Sequence, residues 1–193
     1  MRNKAQFFDS TFCENEQLPR CFTVAFNEVG LTGKNEVRVV LDGNEQLGNI
    51  INDNSRVNDF YRYHDIFHYS FATILGWSPC ARALMRRKRK SDEVIDEIED
   101  GARATITEEA LSMIIFNEAK RKNYFKDITR VSKTTLRIIK EMTENFEVNT
   151  RTTKEWELAI LKAYEIFRLL ISHGGGNVQF DALKKEIKYS QLN

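Results

Sequence analysis

The apolar positions of this chain change their period along its length, and each change predicts an element. Cys21-Phe-Thr-Val-Ala-Phe26 and Val37-Arg-Val-Val-Leu41 alternate roughly in twos. Period two puts one set of side chains on a core face, so the two runs, with the Gly30–Gly33 turn region between them, predict a β-hairpin. Asp42-Gly43 and the polar run Asn49 to Ser55 then break regular structure. From Arg56 to Leu75 the period becomes helical, with Phe60, Ile66, Phe67, Phe71 and Ile74 recurring as in a mostly buried helix. Ser78 can cap, and Pro79 can open, a second helix from Cys80 to near Arg87. Ser91 can cap a third, with Asp92 and Glu93 in its first turn where the dipole favours acids. It runs to near Arg121, with Gly101 as a weak point.

Leu136 to Met142 and Trp156 to Ile171 supply two more helices, the last stopped by Gly174-Gly-Gly176. Asn177-Val-Gln-Phe180 and Glu186-Ile-Lys-Tyr189 alternate like a second small hairpin. The predicted class is therefore mainly α (α+β), close to all-α: a helical core with small terminal β-hairpins able to share one small sheet. Residues 1–55 form an irregular segment and hairpin within the same domain, and residues 56–193 form the helical core with its closing hairpin. On the third helix Val94, Ile95, Ile98, Ala102 and Ile106 are expected to face the core. Glu93, Glu97 and Asp100, extended by Ala104 and Glu108, form the opposite stripe.

Composition narrows the class further. The 193 residues, 41% hydrophobic and 30% charged, suffice for one domain with a real core. A net charge of +1 gives no global pull toward nucleic acid or acidic membranes. No stretch approaches the roughly 18 apolar residues of a membrane span, and the N-terminus has no signal-peptide core. The three cysteines form no CxxC pair, which argues for free thiols in a reducing compartment. A cytoplasmic location with no membrane partner follows as the expectation.

Three features carry chemistry. His64 and His68 lie four apart, so on a helix they share a face, with Asp65 beside them. Two imidazoles at that spacing can ligate one divalent ion, or one can bind metal while the other handles a proton. The residues can equally cross-link buried helices by hydrogen bonds. Second, Glu97, Asp100 and Glu108 belong to an acidic run that can hold Mg²⁺ or Mn²⁺, or can be a solvated face. Third, Arg86, Arg87 and Arg89, with Arg103 beyond, can offset phosphate charge or neutralise the acids that follow. The basic run has no interleaved aromatics, so nucleic acid is not the expected partner. There is no Walker-type glycine loop, no GxSxG elbow and no local Cys/His nucleophile signature.

Read together, several segments resemble a known family. They are Asp53-Asn54, Tyr61-Arg-Tyr-His64-Asp-Ile-Phe-His68, Leu75-Gly-Trp-Ser-Pro79, Arg87-Lys-Arg-Lys-Ser91, Asp96-Glu-Ile-Glu-Asp-Gly-Ala-Arg103, Glu108-Glu109 and Glu155-Trp-Glu-Leu-Ala-Ile160. Over residues 45 to 190 the chain is similar to the domain C-terminal to the MazG-type module of some bacterial nucleotide pyrophosphohydrolases. In those proteins a separate upstream module carries ExxE and ExxD metal-binding carboxylates. Here the residues before the matching region read as β, so that module is expected to be missing. Glu97-x-x-Asp100 has the ExxD spacing without a matching upstream ExxE.

The resemblance implies a nucleotide context and leaves two functions open. One is a divalent-metal-dependent nucleotide pyrophosphohydrolase-like or phosphohydrolase-like protein. In it His64, Asp65 and Glu97 are catalytic, His64, His68, Glu97, Asp100 and Glu108 hold Mg²⁺ or Mn²⁺, and Arg86, Arg87, Arg89 and Arg103 meet the substrate phosphates. His64-Asp65 also matches the signature pair of HD-type phosphohydrolases. The other is a noncatalytic nucleotide-binding or interaction module acting with a separate enzyme, for which a protein supplying a MazG module is the expected partner.

Overall fold

A computed structural model describes residues 7–30 and 35–192. The turn expected at residues 30–33 therefore lies largely outside the described residues. β1 (Cys21–Glu28) buries Phe22, Val24 and Phe26 on one face, and β2 (Glu36–Leu41) buries Val37 and Val39. The two pair antiparallel, Val24 opposite Leu41 and Phe26 opposite Val39, as the alternation requires. β3 (Glu45–Gln46) and β4 (Ile51–Asn52) both add to β2. On its other edge β1 receives β5 (Gly175–Asp181), with Phe22 opposite Phe180 and Val24 opposite Val178, and β6 (Glu186–Ser190) closes the row. The order is β3-β2-β1-β5-β6, with β4 also on β2.

This sheet corrects the fold class. The chain is a mixed α+β fold with one six-stranded antiparallel sheet, and is neither all-α nor a helical core with only small terminal hairpins. β1 is central because it pairs with a strand more than 140 residues downstream, a pairing no local pattern announces. β3 and β4 are two residues each, too short to show alternation.

Six α-helices are defined among the described residues: α1 (Asp65–Leu75), α2 (Pro79–Leu84), α3 (Glu93–Ile98), α4 (Ala102–Arg121), α5 (Lys133–Met142) and α6 (Thr153–His173). Every residue of α1 is buried, because α6, the sheet and α2 surround it. Its aromatic residues set that packing: Phe67 stacks on Tyr164 at 4.7 Å, Phe71 meets Trp156 edge-on at 5.4 Å, and Tyr69 lies against Phe26 and Phe180. α1 starts later than expected. Phe60 takes a left-handed conformation (φ 64°), and a 3-10 turn over Tyr61–Tyr63 leads into the helix.

Helix ends follow side-chain chemistry. Ser78 Oγ accepts the Ala81 N–H ahead of Pro79 at the first helical position, as expected. Thr152 and Glu155 form a reciprocal capping box on α6. The cap of α3 is Asp92 rather than Ser91, since the Ser91 N–H and hydroxyl both go to the Glu16 carboxylate.

The expected third helix breaks in two: α3 ends at Ile98 and Gly101, where a Cβ would lie 2.0 Å from the Glu97 carbonyl oxygen, is the residue from which α4 starts. α3 buries no residue, and beyond the break the expected faces exchange. Val94, Ile98 and Ile106 are 62%, 47% and 68% exposed, whereas Glu99, Asp100, Ala104 and Glu108 turn inward. No helix among the described residues is long and apolar enough to cross a membrane.

Candidate metal centre

Three elements meet where α1 begins: the N-terminal turn of α1, the first residues of α2, and the second turn of α4. Arg62 anchors the approach. Its guanidinium bridges Asp53 Oδ2 at 3.1 Å and Glu28 Oε1 at 3.0 Å, and Tyr63 Oη donates to the same Glu28 oxygen at 2.6 Å. His64 therefore enters α1 at a fixed position, and Tyr61 stacks on its ring at 4.3 Å with an interplanar angle of 2°.

The two histidines have different partners and opposite pKa shifts. His64 Nδ1 lies 2.9 Å from the Tyr61 carbonyl oxygen. A carbonyl only accepts, so Nδ1 carries the proton and Nε2 holds a lone pair. That lone pair faces Asp65 Oδ1 at 3.3 Å. Burial lowers the His64 pKa, which favours this neutral form. His68, 1% exposed, places Nδ1 2.8 Å from Glu108 Oε1. Its Nε2 is buried without a hydrogen-bond partner among the described residues, with Glu109 Oε1 3.5 Å away.

Glu108 and Glu109, adjacent on α4, divide the work. Glu108 is fully buried and saturated. Oε1 also accepts the Ser78 hydroxyl at 2.7 Å, and Oε2 accepts the Cys80 N–H at 2.9 Å. Glu108 thus orients His68 and the start of α2. Glu109 is half exposed, and its interaction with His68 holds its pKa down at about 2. For His68 itself, burial works against the charged form, but Cys80 and Glu108 prevail and hold its pKa well above the ordinary value. Burial, then Glu108, pushes the Cys80 thiol up to about 12.

The arrangement fits a divalent ion. His64, Asp65 and His68 offer ligand atoms within 4.8 Å of one another, and so do His68, Cys80 and Glu108. Donors around a small tetrahedral ion stand roughly 3.3–3.8 Å apart, given bonds of about 2.0–2.3 Å, so modest side-chain adjustment closes the set. A carboxylate on the far nitrogen of a ligating histidine is the usual outer-shell device, and Glu108 on His68 has that geometry. The donors line a pocket of about 300 Å³ with Gly48, Asn49, Ile51, Ala83, Leu84 and Thr105.

Other residues of the expected site lie elsewhere. Glu97 is exposed and lines a different pocket, with Arg103, Met142 and Phe146. Asp100 is fully buried and accepts from the Arg89 N–H at 2.7 Å, Nε at 3.1 Å and Nη2 at 2.7 Å, with Arg82 Nε 3.6 Å away. Arg89 is therefore consumed by Asp100 and by Glu147 at 2.8 Å. Arg87 donates to the Glu14 carbonyl at 3.2 Å. Arg86 lines a basic pocket with Lys88 and Lys90. His64, Asp65, His68 and Glu108 come together; Glu97, Asp100, Arg89 and Arg103 do not join them. Sequence reading missed Glu109 and Cys80 as site residues. Glu109 had a signal in its adjacency to Glu108, whereas Cys80 had none, since a turn between helices brings it to His68.

The fold and site define an α+β domain holding a buried His–carboxylate constellation beside a thiol. The chain belongs to the MazG C-terminal domain family, whose model matches residues 3–193. The match takes in the N-terminal strands as well as the region from residue 45 onward. Neither the curated proteins nor the solved structures gave a match.

Proposed function

We propose that this chain is a divalent-metal-dependent phosphohydrolase-like protein acting on nucleotides, with its centre at His64, Asp65, His68 and Glu109. The observation that carries the reading is the grouping of His64, Asp65 and His68 ligand atoms within 4.8 Å of one another, with Glu109 Oε1 3.5 Å from His68 Nε2, in a pocket open to solvent. Two imidazoles in the donor set suit Mn²⁺ better than Mg²⁺, which prefers oxygen ligands. When bound, such an ion supplies Lewis-acid polarisation of a phosphoryl oxygen.

The remaining work belongs to side chains. His64 and His68 would bind through Nε2, His68 releasing its proton to solvent as the ion enters, each with its ring orientation fixed by its Nδ1 contact. Glu109, ionised and partly exposed, can accept a hydrogen bond from a water in the pocket and orient it. Phosphate charge has a site nearby. Ala83 lines both this pocket and the basic pocket of Arg86, Lys88 and Lys90, so the two adjoin across α2. The nucleotide part of the reading rests on the family.

The test is turnover by the purified chain over a panel of nucleoside mono-, di- and triphosphates with Mn²⁺ or Mg²⁺, measured as phosphate and pyrophosphate release. Expected is metal-dependent release that His68→Gln abolishes. Nucleotide binding without release under either metal would replace this reading with a noncatalytic binding module. In that case a protein carrying a MazG module is the first partner to add.

A further inference from the structure

Cys80 sits in the centre without a role in that reading. It is buried, unpaired in any disulfide, and its Sγ lies 3.8 Å from Glu109 Oε1 and 3.8 Å from the Thr105 carbonyl oxygen. Sγ and a ring nitrogen of His68 stand within 4.8 Å of each other. Its position is set by the same carboxylate that sets His68: Glu108 takes His68 Nδ1 on one oxygen and the Cys80 backbone N–H on the other. Pro79 and the Ser78 cap hold the backbone on the other side. A single buried side chain thus registers an imidazole and a thiol toward one point.

Resting on the metal reading above, we propose that Cys80 is a ligand of the same ion, making this a thiolate–imidazole–carboxylate centre that prefers Zn²⁺ to Mn²⁺. Soft thiolate selects Zn²⁺ among common divalent ions, and hard-oxygen ions gain nothing from it. On ligation the S–H bond breaks, a bond from sulfur to the ion forms, and the proton leaves to solvent; no electron changes hands. The same geometry also resembles a Cys–His–Glu nucleophile triad. Carboxylates of Glu108 and Glu109 beside the sulfur oppose a free thiolate, however, and a cation removes that opposition.

The experiment uses Co²⁺ on the full chain as a spectroscopic substitute for Zn²⁺. Visible d–d bands report binding in a low-coordinate site, and a near-ultraviolet sulfur-to-cobalt charge-transfer band reports thiolate ligation. The wild-type chain should show both, and Zn²⁺ should displace the cobalt while equimolar Mn²⁺ does not. Cys80→Ser should lose the charge-transfer band, keep d–d bands, and bind Zn²⁺ at least about 10–100-fold more weakly, the loss typical of even an outer-shell partner. A Cys13→Ser, Cys21→Ser double variant should retain the charge-transfer band; its loss there overturns the assignment to Cys80. Wild-type d–d bands without charge transfer overturn Cys80 ligation and leave the metal reading standing. Absence of both bands overturns both. Rapid, metal-independent alkylation of Cys80 with its rate dependent on His68 would assign the triad instead.

Discussion

Glu99→Gln tests whether the acidic run is buried machinery of the fold. Glu99 is 6% exposed at the end of α3. Its Oε1 accepts the Glu147 N–H at 2.9 Å, and Oε2 is buried without a partner among the described residues. Burial, followed by the neighbouring Glu147 carboxylate, raises its pKa from 4.5 to about 7. Between those values the native state keeps a proton that the unfolded chain has lost. Stability therefore falls as pH rises through that window and levels off above about 7. The difference of about 2.5 pH units, at roughly 1.4 kcal/mol each, is about 3 kcal/mol. Glutamine keeps an acceptor for the Glu147 N–H and cannot titrate. Urea unfolding of both proteins at about pH 5 and about pH 8 isolates the effect, because every other titration cancels in the difference. The variant should gain about 2–3 kcal/mol on the wild type between the two conditions. A stability difference that does not change with pH would refute the reasoning.

Other variants separate the fold's charges from the site's. Asp100→Asn leaves the Arg82 and Arg89 guanidiniums short of a buried partner. Each retains one, Asp9 and Glu147 respectively, so thermal or urea unfolding should show a loss near the lower end of the usual range, about 3 kcal/mol, with Co²⁺ binding unchanged. Glu97→Gln, on an exposed position, should alter stability by no more than about 0.5 kcal/mol, and Co²⁺ titration should give the wild-type affinity. Gly101→Ala forces its Cβ against the Glu97 carbonyl and should cost about 1–3 kcal/mol in denaturant unfolding. Glu108→Gln should weaken Zn²⁺ about 10–100-fold by misorienting His68, measured by competition with a chromophoric chelator.

Local patterns were enough for what depends on neighbours along the chain. The alternation at Phe22, Val24 and Phe26, the Ser78-Pro79 helix start and the four-residue spacing of His64 and His68 all act within one element, where backbone geometry alone relates the side chains. The family was legible too, because its motifs are short and local. What depends on distant pairing was not. The two hairpins were expected to be able to share a sheet, but that β1 would be its central strand, paired with β5, was decided only by their meeting. Glu97 and Asp100 are three apart yet part company, one to solvent and one to Arg89, because α3 ends at Ile98 and Asp100 lies in the link before α4. Charge density by itself cannot say which acids are solvated and which are neutralised by a buried arginine. Glu108, expected as a ligand by its stripe, accepts from His68 Nδ1, and Glu109 and Cys80, which the stripe did not single out, line the same pocket as His68. The packing of α2 and α4 against the start of α1 made those assignments, since burial and the direction of each donor are properties of three elements together.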